Sequence, residues 1–309
     1  MILKFLKWTG TFLLIVVLGV AVATLMRQNL KYDAPYPDVT SSSDPAVIER
    51  GKHLATGPAH CVECHKNVAE VESGVPIQQA SLSGGQVFAL PVGNFYTPNI
   101  TPDPETGIGK LSDREIARSL RYGVRADGTV LFDFMPFHNT SDEDLTSILS
   151  FLRSLPPKSN PIPKHELNLI GKVLKAFVVK PVGPKGDVLK SIVPAATVEY
   201  GEYLAGSVAN CNGCHTKRNM IGEFIGEPYA GGAPMKEPGK ETLIPPNLTP
   251  HSEGRISLWT EEEFLKRFRL GKLVEHSHMP WGPYARMSDM ELKAIYRFLK
   301  SLKPAINPE

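Results

Sequence analysis

The chain is written twice, and this constrains its fold more than any other feature. Glu49 to Ala55 matches Glu199 to Ala205 at an offset of 150, and Cys61-Val62-Glu63-Cys64-His65 matches Cys211-Asn212-Gly213-Cys214-His215 at the same offset. Pro98-Asn99-Ile100-Thr101-Pro102 matches Pro246-Asn247-Leu248-Thr249-Pro250 at 148, Met135-Pro136 matches Met279-Pro280 at 144, and Leu145 to Leu155 matches Leu292 to Leu302 at 147. The order is kept while the offset drifts by a few residues, as loop insertions produce, so the chain reads as two copies of one folding unit. The boundaries follow: a first unit over 44–155, a link over 156–195, a second unit over 196–303 and a tail over 304–309.

Both units carry the same helix signals. Asp44 followed by Pro45 predicts a helix start. Ser112 with Glu115, and Thr260 with Glu263, make the capping-box pattern of a second helix that stops near Gly123 and Gly271. A last helix begins at Ser141 and at Ser288, where Glu291 holds the box position. Leu145, Ile148, Phe151, Leu152 and Leu155 fall on one face at helical spacing, as do Leu292, Ile295, Phe298, Leu299 and Leu302. Gly51 and Gly201 sit inside helices at a cost in propensity, which a close helix crossing against Phe151 and Phe298 would explain. Three short helices and long loops leave each unit little aliphatic core, so something large and apolar is expected at its centre.

The cysteines say what that is. All 4 in the chain lie in the two Cys-x-x-Cys-His motifs, the attachment signature of c-type haem. Two thiols three residues apart can bond to two vinyl groups on one edge of a macrocycle, and the adjacent histidine is carried beneath the ring to the iron. A thioredoxin-like motif would lie near a βαβ pattern, and none is visible. A four-cysteine zinc site or a pair of disulfides would leave the two histidines unexplained. Cys61, Cys64 and His65, and Cys211, Cys214 and His215, are therefore read as attachment and axial residues of two covalent haems.

Such iron takes methionine or histidine as its sixth ligand. Met135 is the single methionine of the first unit, in the loop before the last helix. In the second unit Met220 follows His215 too closely to reach the opposite face, Met287 and Met290 fit capping or packing, and Met279 alone matches Met135. His138 competes near Met135, and His276 and His278 compete near Met279. Asn99 and Asn247 could bond haem propionates or pin their loops.

Lys4 and Lys7 precede an uncharged run from Trp8 to Met26, about the ~30 Å of a bilayer core when helical. Residues 1–26 are expected to anchor the chain with its bulk exported, a single-pass inner-membrane protein facing the periplasm. Cleavage after Ala21-Val22-Ala23, leaving a soluble periplasmic protein, is the alternative. Residues 27–43 read as a polar tether. A net charge of +2 shows no basic excess of the kind that marks nucleic-acid binders. Charge is uneven, near −5 in the first unit, +5 in the link and +1 in the second. Lys164 to Lys180 reads as a basic amphipathic helix covering a lobe.

Asn99-Ile100-Thr101-Pro102-Asp103-Pro104-Glu105-Thr106-Gly107-Ile108-Gly109, Ser112-Asp113, Met135-Pro136 and Ser154-Leu155-Pro156-Pro157, echoed in the second unit by Asn247-Leu248-Thr249-Pro250, Trp259-Thr260, Met279-Pro280 and Ser301-Leu302, carry a family likeness. The chain resembles dihaem bacterial cytochromes c and, among them, the cytochrome c subunits of membrane-bound alcohol and gluconate dehydrogenases. Those subunits usually carry three haem motifs where this chain has two, and Leu111 stands where they commonly have tryptophan. The resemblance implies an all-α fold of two tandem class I cytochrome c-type domains after an N-terminal transmembrane helix, each wrapped around one haem. It implies single-electron transfer between exported donor and acceptor proteins, with a dehydrogenase or a terminal oxidase as candidate partners, and no catalysis by the chain itself. A dihaem cytochrome c peroxidase is the alternative, but it needs one iron with an open distal position, and each unit offers a methionine. A redox or gas sensor is a third class, with no signalling domain to support it.

Overall fold

Local signals account for most of the elements. In a computed structural model of the chain, which describes residues 2–135, 137–219, 222–235 and 240–307, the first helix, α1, spans Ile2–Arg27. Pro136 and Met220 lie outside the described residues. Helix α2 (Pro45–Thr56) begins where the Asp44 carboxylate accepts the Ala46 N–H at 2.8 Å. Two short helices follow, α3 (Cys61–His65) and α4 (Val68–Glu72). After strands β1 (Val87–Leu90) and β2 (Gly93–Tyr96) come α5 (Asp113–Tyr122), opened by the Ser112/Glu115 capping box and closed by left-handed Gly123, and α6 (Asp142–Ser154), capped by Ser141.

The link holds strand β3 (Glu166–Leu167) and helix α7 (Leu169–Phe177). The second half then repeats the plan with α8 (Val198–Tyr203), which runs into a π-helical turn at Leu204–Val208, α9 (Cys211–His215), α10 (Glu261–Arg269), α11 (Trp281–Tyr284) and α12 (Asp289–Ser301). Thr260 with Glu263 and Ser288 with Glu291 both close as capping boxes.

In each half the first helix crosses the last at a glycine. A Cβ on Gly51 would lie 1.8 Å from the Ser147 carbonyl oxygen and 2.9 Å from Phe151 Cβ; one on Gly201 would lie 1.9 Å from the Ala294 carbonyl oxygen and 2.8 Å from Phe298 Cβ. The helix-interior glycines thus allow backbones to touch. Leu54, Leu145 and Leu149 in the first half, and Leu204, Leu292 and Leu299 in the second, are buried around these crossings.

The all-α expectation needs one correction. β1 and β2 form a hairpin in which Leu90 faces Gly93, and β3 adds through Gly93–Leu167 and Asn94–Glu166. Gly93, at φ 135°, has Leu167 Cα 2.7 Å from where a Cβ would be, so only glycine admits the third strand. The sheet is mostly local backbone pairing at the edge of the first half, and the protein is otherwise helical. The link helix is also shorter than expected, because β3 takes the residues before Asn168, whose side chain caps α7.

Helix α1 is long and apolar enough to cross a membrane, with Lys4–Arg27 reaching a mean hydropathy of 2.3 and almost none of it buried. Its C-terminal end meets α7, where Arg27 lies 5.4 Å from the centre of the Phe177 ring. Residues 28–43 run along the first half: Arg118 donates to the Tyr32 carbonyl and the Tyr36 hydroxyl, and Ser41 donates to Asp113.

Candidate functional site

Both Cys-x-x-Cys-His motifs form one-turn helices, α3 and α9, entered from a left-handed residue, His60 at φ 42° and Asn210 at φ 52°. Within one turn the two cysteines and the histidine are fixed relative to each other. No disulfide joins the four cysteines, and burial pushes the thiols of Cys61 and Cys211 up to about 12. Among the described residues no three His, Cys, Asp or Glu side chains converge as a metal site.

The histidines are held alike. His65 Nδ1–H donates to the Pro98 carbonyl at 2.9 Å, and His215 Nδ1–H to the Pro246 carbonyl at 2.8 Å. That bond fixes the tautomer and leaves Nε2 with its lone pair, as in metal-ligating histidines. Burial lowers the pKa of both rings and favours the neutral form that ligation requires.

In the first half these groups share one space. Cys64, His65, Phe95, Pro98 and Met135 all line a cavity of about 1110 Å³, beyond the ~300–1,000 Å³ of ordinary small-molecule sites. A chain that places a thiol, an oriented imidazole and a thioether around so large an apolar space fits a covalently held haem. His138 has both ring nitrogens engaged, Nδ1 by the Arg121 carbonyl at 2.8 Å and Nε2 by Asp133 at 3.0 Å. In the second half Met279 is half-buried against the core, before Trp281, whose ring lies 3.6 Å under Arg267. Met287 is fully buried and Met290 packs on the core, as expected of packing residues, and Met235 pairs through its backbone with Leu243. His276 has a buried Nε2 with no partner among the described residues.

Asn99 and Asn247 are loop pins. Asn99 donates to Thr106 and to the Lys158 carbonyl and accepts from the Thr101 N–H and hydroxyl; Asn247 donates to the Ala305 carbonyl and accepts from Thr249 in the same way. Each therefore ties the Pro carbonyl that orients the histidine to the segment after the last helix.

The contact between the halves is not among the sequence expectations. His53 lies 2.9 Å from both carboxylate oxygens of Glu291, and its repeat counterpart Tyr203 donates to Asp144, the counterpart of Glu291, at 2.8 Å. Arg50 binds Asp144 and the Tyr200 hydroxyl and lies 3.5 Å from Glu291. Each first helix thus reaches the other half's last-helix carboxylate. The available signal was polar residues at matched repeat positions on a helix otherwise packed in the core. Beside this cluster the Tyr284 ring stands edge-on to His60 at 5.6 Å, and its hydroxyl donates to the Ala209 carbonyl.

No family model matches the chain. It is 26% identical to the fructose dehydrogenase cytochrome subunit of Gluconobacter japonicus over 91% of its length, and 31% identical to the cytochrome c subunit of alcohol dehydrogenase (quinone) of Gluconobacter oxydans over 85%. It spans a little over half of those relatives, 57% and 56% of their lengths. It is 30% identical to a diheme cytochrome c-type protein of Cereibacter sphaeroides, covering 80% of this chain and 82% of that one. With its paired attachment motifs and oriented histidines, the chain belongs to the family of c-type cytochromes that these proteins represent.

Proposed function

We propose that the chain is a membrane-tethered dihaem electron carrier made of two tandem class I cytochrome c units, 44–155 and 196–303, joined by the link 156–195. The observation that carries the reading is the first-half cavity, where Cys64, His65 and Met135 face one space and His65 Nδ1–H is already committed to Pro98. Cys61 and Cys64 would hold one haem by thioether bonds, with His65 and Met135 on its iron; Cys211, Cys214, His215 and Met279 would do the same in the second unit. When bound, each haem supplies a one-electron iron couple. The protein's part is to keep the ligands still: the Pro98 and Pro246 carbonyls aim the imidazoles, and Asn99 and Asn247 anchor those carbonyls. Thioether in the sixth position raises the potential relative to imidazole and leaves no place for a substrate, so the peroxidase alternative lacks the open site it needs. The relatives' names give it no support either.

Proximity of the two units supports a relay. The space above Gly282, three residues past Met279, ends at the Glu63 carboxylate, 3.3 Å from where a Cβ would be, so the first motif helix abuts the second unit's methionine loop. Exported redox proteins are the expected donor and acceptor. The relatives' names favour a dehydrogenase as donor, and a terminal oxidase suits the acceptor side. The uncharged run of α1 from Trp8 to Met26 supports an inner-membrane anchor with both units in the periplasm; retention in salt-washed membranes is expected, since salt screens charge but not apolar burial. A soluble mature chain beginning near Thr24 would decide for cleavage.

The deciding experiment is spectroscopic. Ferric wild type should show a weak far-red sulfur-to-iron band from both units and a mass two haems above the apoprotein. Met135→His should remove the first unit's share and lower its potential, and Met279→His should act on the second alone. The partnerless Nε2 of His276 favours a second reading for that unit only, with His276 opposite His215. Under it, Met279→His would leave the band unchanged and His276→Ala would disturb the second haem. Loss of haem to acid-acetone extraction would defeat both readings.

A further inference from the structure

The wall of the first-half cavity has two characters. One stretch is aromatic, with Phe95 edge-on to Phe132 at 4.9 Å and to Phe134 at 5.1 Å. Another is basic: Arg125 comes from the loop after α5, Lys164 and His165 from the link, and Lys172 and Lys175 from α7. The two carboxylates on the same wall are occupied elsewhere, Asp127 by the Thr129 N–H and hydroxyl and Glu105 by Lys110. Among the described residues Arg125 is held by the Thr129 hydroxyl at 3.4 Å and the Val130 carbonyl at 3.1 Å, Lys175 reaches Asn29 at 3.5 Å, and neither makes an ion pair.

These groups work against one another. Burial first, and then the charge of Arg125, lower the pKa of Lys175; burial, Arg125 and Lys175 together lower that of His165. Asp127 offsets this only in part, and half-buried like charges in excess of their counter-charge are costly. The arrangement becomes favourable once an anion with more than one carboxylate occupies the space.

We propose that this basic wall seats the two propionates of the first haem, with Arg125 and Lys175 as their principal charge partners. The proposal rests on the haem reading above. The chemistry is consistent with it: Cys61 and Cys64 would take the vinyl edge of the macrocycle, and the carboxylates project from the opposite edge, where a cationic wall is required. The wall is built from segments that the repeat does not contain. Eleven residues separate Gly123 from Met135, against seven between Gly271 and Met279, and Lys172 and Lys175 belong to the link and to neither repeated unit. Charge compensation of this kind therefore belongs to one haem alone. Cations beside it keep the propionates ionised, offset their negative charge and favour the reduced iron, so they raise the first haem's potential.

The test uses the full-length, haem-loaded protein. Arg125→Gln and Lys175→Gln, singly and together, should leave two haems on the chain by mass. Each should lower one midpoint potential, making that iron about tenfold harder to reduce at a fixed potential, or about 59 mV for one electron. In the same variants that potential should become pH-dependent nearer neutrality, as the propionates lose their counter-charge, and the propionate bending modes in resonance Raman spectra should move. Arg125→Lys should restore the wild-type profile, and Lys52→Gln should change nothing. Unchanged potentials and pH profiles with both haems attached would overturn the assignment, as would equal shifts of both haems. A wild-type protein with no covalent haem would instead overturn the haem reading itself.

Discussion

Replacing Gly51 with alanine sets two physical effects against each other. By propensity alone, alanine inside a helix is better than glycine by about 1 kcal/mol. At the α2–α6 crossing, however, the new methyl would sit 1.8 Å from the Ser147 carbonyl oxygen. An ordinary carbon-to-oxygen approach is about 3.3 Å, so the helices must part by about 1.5 Å. The obstacle is backbone, which has no rotamer to change, and parting loosens the packing of Leu54, Leu145 and Leu149, all fully buried. Overpacking of this kind costs about 1–3 kcal/mol and more where backbone must move. We expect a net loss of about 3 kcal/mol after the propensity gain, which at about 2–4 °C per kcal/mol lowers the melting temperature by about 6–12 °C. Gly201→Ala should behave alike. Gly206→Ala is the control, because its added Cβ would meet only the Tyr229 hydroxyl at 3.6 Å. Thermal unfolding of the haem-loaded protein, followed by far-ultraviolet circular dichroism, reads the difference. A Gly51→Ala protein that melts higher than wild type would refute the crossing argument, since propensity would then have won.

Glu291→Gln should cost about 3–5 kcal/mol at neutral pH, because it leaves His53 without its carboxylate partner and Arg50 with Asp144 alone; denaturant midpoints measure it. Burial alone would raise the Glu291 pKa, but His53, the Ser288 N–H and Arg50 outweigh it and hold the carboxyl below its usual range. Its contribution is therefore present above about pH 4.3, the unfolded value, and is lost as pH falls through the lower folded value, so the variant should show a flatter acid limb than wild type. Asn99→Ala removes four hydrogen bonds from a buried loop and should cost about 2–4 kcal/mol. It should also broaden the electron-paramagnetic signal of the first haem alone, as Pro98 ceases to hold His65; an unchanged signal would show that the loop is fixed by other means.

Much of this protein is legible in one sequence because its signals are local. Capping at Asp44, Ser112, Thr260 and Ser288 depends on residues within one helical turn, so the helix starts could be named directly. The cores of α6 and α12 follow from helical spacing, and the attachment motifs carry their meaning in five residues. The repeat added a second, independent copy of each signal. It even allowed Gly51 and Gly201 to be read as crossing points, since a helix-interior glycine found twice at matched positions calls for a packing reason. What the local signals could not reach is whatever depends on residues far apart in the chain. The third strand exists because Gly93 admits Leu167 across more than seventy residues. Asn99 and Asn247 could have bonded a haem or a loop, and only the position of Lys158 and Ala305 supplies the loop bonds. His53 and Tyr203 stand at matched positions of the repeat with different chemistry, and only the packing of the halves brings each to the opposite half's carboxylate. The basic wall around Arg125 and Lys175 likewise arises from folding the unrepeated link back over the first half. Charge partners chosen across such distances leave no periodic trace, so tertiary structure alone assigns them.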